Sequence, residues 1–135
     1  MDREKTISPD EFDKIKHHIQ DIRIAMLTTQ ASTGALRSRP MATHQLDPDG
    51  TMWFFTRADS EKVTHIRQQP AIALGFSDLQ AQVSVTTAGQ AEIVNDQAKV
   101  NALWNESMLD WFPEGKDDPN IVLLRITTLD GECWE

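Results

Sequence analysis

Leu36-Arg37-Ser38-Arg39-Pro40-Met41-Ala42-Thr43-His44-Gln45-Leu46, then Asp47-Pro48-Asp49-Gly50, then Thr51-Met52-Trp53-Phe54-Phe55-Thr56: this stretch decides how the chain folds. The central tetrapeptide is a strong turn signal, because Pro presets φ and Asp and Gly tolerate tight backbone. The run behind it is rich in aromatic residues and Thr and reads as a strand over Thr51–Thr56. The run before it reads as a strand over Leu36–Leu46. Pro40 has no N–H to give a ladder, so that strand suits a sheet edge or a bulge. Two strands flanking such a turn predict a β-hairpin.

Working outward, Ser8-Pro9-Asp10-Glu11 opens a helix. Ser8 caps it, Pro9 fits its first turn and Glu11 sits three residues after the cap. Phe12, Ile15 and Ile19 then follow at helical spacing. Ile22–Thr29 has β-type composition, and Gly34 marks a turn. Ser60–Gln69 reads as a short helix stopped by Pro70. Ala71–Phe76 is a strand, and Gln82–Val94 is a long β region with Gly89 as a bend or bulge. Asp96 caps a helix running to about Leu109, and Trp111–Pro119 is a loop. Ile121–Thr127 is a strand, Asp130-Gly131 a turn, and Glu132–Glu135 begins a last strand. Short strands joined by hairpins, with helices between them, predict a closed or partly closed antiparallel barrel. No repeat, low-complexity tract or linker divides residues 1–135, so a single domain is expected.

The composition narrows the function. The net charge of -8 argues against nucleic acid or an anionic membrane as partner. It leaves room for a small anion held by local Arg and Lys. Cys133 is the only cysteine, so no internal disulfide forms and no zinc-type Cys/His spacing exists. The charged start, Met1-Asp2-Arg3-Glu4-Lys5, is unlike a signal peptide, and no apolar run is long enough to span a bilayer. A cytoplasmic protein is expected. The chain has no Tyr, so no phenol serves as an acid.

Three segments offer chemistry for a phosphate-bearing ligand. Arg37 and Arg39 point to one face of their strand. Behind Trp53-Phe54-Phe55-Thr56, a strand gives way to a helix start carrying Arg57, Asp59, Ser60, Glu61 and Lys62. Free N–H groups there, the Ser60 hydroxyl and the Lys62 ammonium suit a phosphate. The third segment is Trp134, near the end of the chain. Each also has a plainer reading. Paired arginines are often a solvated face, Ser60 is a good N-cap, and Trp53 and Phe55 suit a core. His17 and His18 are neighbours on a helix and diverge, so with His65 they predict no metal site. Cys133 beside Trp134 reads as a buried strand residue.

The joint order of these motifs resembles the pyridoxamine 5′-phosphate oxidase family. It runs Arg39 to His44, Phe54-Phe55-Thr56, Ser60-Glu61-Lys62, Gly89-Gln90-Ala91-Glu92 and Cys133-Trp134. The general stress protein branch is similar in further stretches: Arg39-Pro40-Met41, Leu103-Trp104-Asn105, Trp111-Phe112-Pro113, Asp117-Asp118-Pro119 and Leu123 to Thr127. The resemblance covers about residues 10–135. It implies an α+β protein, a six-stranded antiparallel Greek-key split β-barrel with flanking helices. It also implies a homodimer with FMN at the subunit interface. In that reading Arg39, Met41, Ala42, Thr43 and His44 line the flavin. Phe55 and Thr56 contact it, Ser60 and Lys62 serve its phosphate, and Ser84 stands where the oxidases place a flavin-contacting Gln. Trp134 approaches from the partner subunit.

Departures from the oxidase pattern carry their own implication. Glu61 replaces an Arg, His44 replaces a substrate-facing Lys, no Tyr is present, and the downstream Arg-x-His motif is missing. The expectation is therefore a flavin-dependent oxidoreductase of the stress-protein type, fed by a small electron donor such as NADH or NADPH, and not a true pyridoxamine 5′-phosphate oxidase. The alternative is a non-enzymatic flavin carrier or sensor. No residue stands out as a general acid or base.

Overall fold

The computed structural model describes residues 9–135; the predicted Ser8 cap lies outside them. Helices α1 (Pro9–Asp21), α2 (Glu61–Gln68) and α3 (Gln97–Leu103) are joined by a 3₁₀ turn at Glu106–Asp110. The strands are β1 (Ile24–Gln30), β2 (Leu36–Ala42), β3 (Gln45–Leu46), β4 (Met52–Arg57), β5 (Ala71–Asp78), β6 (Val83–Val94) and β7 (Ile121–Trp134). They form one antiparallel sheet in the order β2-β1-β5-β6-β7-β4-β3. The sheet curls into the expected split barrel, with seven strands because the two-residue β3 is cut from the predicted Leu36–Leu46 strand.

That cut is the main correction to the sequence reading, and it closes the barrel. β2 does not form the predicted hairpin with β4. It pairs with β1 from Ile24↔Ala42 to Gln30↔Leu36, and only Gln45 and Leu46 pair with Trp53 and Met52. The change of partner falls between two residues. Thr43 N–H donates to Arg23 O at 2.9 Å, continuing the β1 side, and His44 N–H donates to Trp53 O at 3.0 Å, joining the β4 side. The chain thus steps from one sheet edge to the other. Pro40 sits on the edge strand β2, as its missing donor requires. The Asp47–Gly50 turn forms as predicted: Gly50 N–H donates to Asp47 O, and Asp47 N–H to Thr51 O. Gly50 has φ +91, and a Cβ there would lie 2.0 Å from the Phe12 ring.

Two further expectations change. Asp130-Gly131 is not a turn: β7 runs on to Trp134 because β6 supplies ladder partners along its length, from Val94↔Leu123 to Ser84↔Trp134. A bulge at Ala88/Gly89 absorbs the odd residue. The predicted helix from Asp96 to about Leu109 ends at Leu103. Trp104 is extended and Asn105 re-caps the chain, its Oδ1 accepting from Ser107 N–H, so only a 3₁₀ turn follows.

The bulge glycine is required sterically. A Cβ on Gly89 would lie 2.1 Å from the Thr127 carbonyl oxygen, a backbone atom that cannot swing away. Gly89→Ala is expected to destabilise the fold by about 1–3 kcal/mol. An unchanged urea midpoint would show that the β6–β7 ladder yields there at no cost.

The core has two parts. Inside the barrel, Ala25, Leu27, Phe54, Leu74, Phe76, Val85, Leu124 and Ile126 meet Ile15 and Ile19 of α1 and Ile66 of α2. Outside it, Trp53, Ile121 and Leu123 pack with Val100, Leu103, Met108 and Phe112. β7 is therefore buried on both faces near its start, which accounts for the unbroken apolar run Ile121–Leu124. This second core presses α3 and the 3₁₀ turn against β4, beside the point where the barrel closes.

Candidate functional site

The edge-crossing at Thr43-His44, the end of β4 and the start of α2 converge on a cleft of about 520 Å³. The outer core supplies its far wall through the 3₁₀ turn and the loop after it. Of the residues predicted from sequence, Met41, Ala42, Thr43, His44, Phe55, Thr56 and Lys62 line this one cleft. Arg23, Pro40, Arg57, Asn105, Ser107, Met108, Trp111 and Phe112 complete it. Of these, Arg57 is among the phosphate candidates of the sequence, and Pro40, Asn105, Trp111 and Phe112 stand in stretches that carry the family resemblance, whereas Arg23, Ser107 and Met108 have no site reading of their own. Asn105-x-Ser107 was a legible signal, since an Asn two residues before Ser is a capping pattern that restarts structure.

The polar side chains at the α2 end form a connected set. Lys62 Nζ donates to Thr56 Oγ1 at 3.0 Å. Burial pushes the Lys62 ammonium below its ordinary pKa, and the neighbouring Arg39 pushes it the same way. Arg39 does not line the cleft but stands behind it. Its Nη1 donates to Thr29 Oγ1 at 2.6 Å, and Thr29 Oγ1 in turn lies 2.8 Å from His65 Nδ1. Burial lowers the Arg39 pKa, Glu61 raises it and Arg37 lowers it, in that order of size. The expected common face of Arg37 and Arg39 is observed: both approach Glu61 Oε1, at 3.4 Å from Arg37 Nε and 3.7 Å from Arg39 Nη2. Two partly desolvated cations thus lie side by side, an arrangement that favours an anion.

The cleft also has aromatic walls, Phe55, Trp111 and Phe112. The Phe55 ring lies 4.7 Å from His44, 6.3 Å from Trp104 and 6.4 Å from Phe112, centroid to centroid. His44 Nε2 donates to the Leu103 carbonyl. That acceptor fixes the proton on Nε2, so Nδ1 of the neutral ring is left as an acceptor. Thr43 Oγ1 is buried with no hydrogen-bond partner among the described residues. A buried hydroxyl without a partner costs about 1–3 kcal/mol, so a polar ligand group beside it would recover that cost. Trp111 stands at the cleft, largely exposed.

Three predicted residues lie elsewhere in the chain. The Ser60 hydroxyl donates to Arg57 O at 2.8 Å and makes no cap bond to α2. Ser84 and Trp134 face each other across β6 and β7, at the opposite end of β7 from the cleft. Cys133 is on β7 as read but only half-buried, and burial, followed by the Glu135 carboxylate, raises its thiol pKa.

Comparison with known proteins places this architecture. Residues 10–135 match the family described as pyridoxamine 5′-phosphate oxidase like. General stress protein 26 of Bacillus subtilis (strain 168) is 30% identical over 123 residues, covering 85% of this chain and 79% of its own. The crystal structure of a Clostridium acetobutylicum protein related to general stress protein 26 superimposes with a TM-score of 0.82 at 22% identity, over 96% of this chain and 91% of that one. The general stress FMN/FAD binding protein of Xanthomonas citri superimposes with a TM-score of 0.79 at 28% identity, over 94% and 89%. Family match, relative and fold agree: the chain belongs to the pyridoxamine 5′-phosphate oxidase-like family.

Proposed function

We propose that the protein is an FMN-binding flavoprotein, active as a homodimer, that passes electrons between a small donor such as NADH or NADPH and a small acceptor. The observation that carries this reading is the joining of two features in one cleft. A partly desolvated cation, Lys62 backed by Arg39, and the aromatic walls of Phe55 and His44 belong to the same cleft. A ligand that is anionic at one end and planar at the other fits both. The buried Thr43 hydroxyl, partnerless among the described residues, adds a polar group for such a ligand.

In this reading Lys62 and Arg39 hold the phosphate, with Arg57 and Arg23 adding positive field, and the Ser60 hydroxyl would join them only by giving up its bond to Arg57 O. Met41, Ala42, Thr43, His44, Phe55 and Thr56 lie along the ring system. Bound flavin supplies the redox chemistry, and the protein supplies position and electrostatics. His44 Nδ1 offers an acceptor, and the His44 tether to Leu103 holds the far wall in place.

The sheet's outer face supports the dimer. Ile24, Met26 and Leu36 are 54%, 44% and 71% exposed. The ladder places Pro40 and Ala42 opposite Met26 and Ile24 on that same face. Such an apolar strip bordering the cleft suits a second copy of the chain. Ser84 and the half-exposed Trp134 would then serve the partner's cleft. Arg125 offers no substitute for the oxidases' substrate cations, because it pairs with Glu92 and lies over Trp53 on the outer side. This favours a stress-type flavoprotein over a true pyridoxamine 5′-phosphate oxidase.

The test is FMN titration with sedimentation of the loaded protein. The expected result is stoichiometric flavin and about twice the 15.3 kDa chain mass. A monomer that binds FMN tightly would refute the shared site. A carrier or sensor is the second reading, favoured by the commitment of His44 Nε2 to Leu103. Bound flavin that NADH and NADPH fail to reduce would select it.

A further inference from the structure

We propose that Glu61 is a specificity residue of this site: its carboxylate occupies the arginines that a flavin phosphate would use, and so weakens binding of phosphorylated flavin selectively. The proposal rests on the phosphate reading of Lys62 and Arg39 above.

Glu61 is the first residue of α2 and the chain neighbour of Lys62. An acid in a first helical turn is ordinary, since it complements the helix dipole. That role does not require it to reach another element. Here Oε1 lies 3.4 Å from Arg37 and 3.7 Å from Arg39, both on β2. Arg39 keeps only 18% of its side chain exposed, whereas Glu61 keeps 55%. The carboxylate therefore covers a largely buried cation from the solvent side.

Neither distance is that of a tight charge-assisted hydrogen bond, which is about 2.7–2.9 Å. The pairing is loose enough to be displaced. It is also tethered, so it competes at an effective concentration that a dissolved anion does not reach. A phosphate entering beside Lys62 meets this negative charge and must share or take its arginines. A flavin phosphomonoester carries about -1.5 to -2 near neutral pH, and riboflavin carries no phosphate at all. The contribution of Glu61 should therefore separate the two ligands.

FMN and riboflavin are titrated into the parent protein, Glu61→Gln and Glu61→Lys. Exposed ion pairs are weak, so Glu61→Gln should bind FMN roughly three- to tenfold tighter at low salt. Glu61→Lys should bind it tighter still. Riboflavin affinity should be the same in all three, and the FMN gain should shrink as salt screens the charges. Unchanged or weaker FMN binding in Glu61→Gln, with riboflavin unchanged, overturns the proposal while leaving the flavin reading intact. An equal gain for both flavins also overturns it, because the effect would not act through the phosphate. Failure of every form to bind either flavin overturns the flavin reading and this proposal together.

Discussion

Lys62→Met should lower FMN affinity roughly tenfold to a hundredfold and leave riboflavin affinity nearly unchanged. The Lys62 ammonium makes one hydrogen bond, to Thr56, and its remaining protons have no partner among the interactions described for the site. A phosphate oxygen would take one in a charge-assisted bond, worth about 1.5–3 kcal/mol. Met keeps the length and apolar stem of Lys, so the walls of the cleft should persist. The pH dependence adds an independent check. Burial and Arg39 lower the Lys62 pKa in the folded protein, so folding disfavours its charged form. Below that lowered value the folded state carries the full penalty. As pH rises from there towards the ordinary value of about 10.4, the penalty fades and Lys62 contributes a gain in the stability of flavin-free protein. FMN affinity should move the opposite way, falling with pH in the same window as the ammonium is lost. The Met variant should show neither change. Equal FMN affinity in variant and parent would remove Lys62 from the site.

How much of this was legible in the sequence depends on whether the signal was local. The Asp47–Gly50 turn, the Ser60–Gln69 helix and the pairing of Arg37 with Arg39 on one face follow from residues a few positions apart. The partner exchange between Thr43 and His44 does not. Leu36–Leu46 reads as one strand from its sequence, and nothing in its composition marks where its hydrogen bonds pass from β1 to β4. The cleft lies at that step, so its lining on the β2–β3 side was readable from motif order, whereas its closure was not. The far wall was partly hidden for a similar reason. Asn105 and Ser107 line the cleft only because Leu103, Met108 and Phe112 dock on Trp53 and Leu123, which are distant in sequence. The Asp130-Gly131 misreading has the same origin: a turn dipeptide was overridden by a twelve-residue ladder partner, β6.

Thr29→Val should cost roughly 2–4 kcal/mol of stability, more than its change in volume suggests. Thr29 is 1% exposed, and its hydroxyl joins Arg39 and His65 in a buried chain. One direction in this chain follows from chemistry. Arg39 can only donate, so Thr29 Oγ1 accepts from it, and a second hydrogen bond joins the same oxygen to His65 Nδ1, with the donor set by the His65 tautomer. His65 stands on the helix that also presents Lys62. Valine fills the same space but leaves the guanidinium without this acceptor and His65 Nδ1 without its partner. Each buried unsatisfied group costs about 1–3 kcal/mol, with the charged one at the upper end. The melting temperature should fall by several degrees per kcal/mol in a chain of this size. Thr29→Ser keeps the hydroxyl and should recover most of the loss, which separates the hydrogen-bond chain from simple packing. The same substitution frees Arg39 from the contact that fixes its direction, so FMN binding should weaken in Thr29→Val and return in Thr29→Ser. A valine variant as stable as the parent would mean that Arg39 is held by Glu61 and solvent alone, and that α2 is anchored to β1 through its apolar side chains rather than through this buried polar chain.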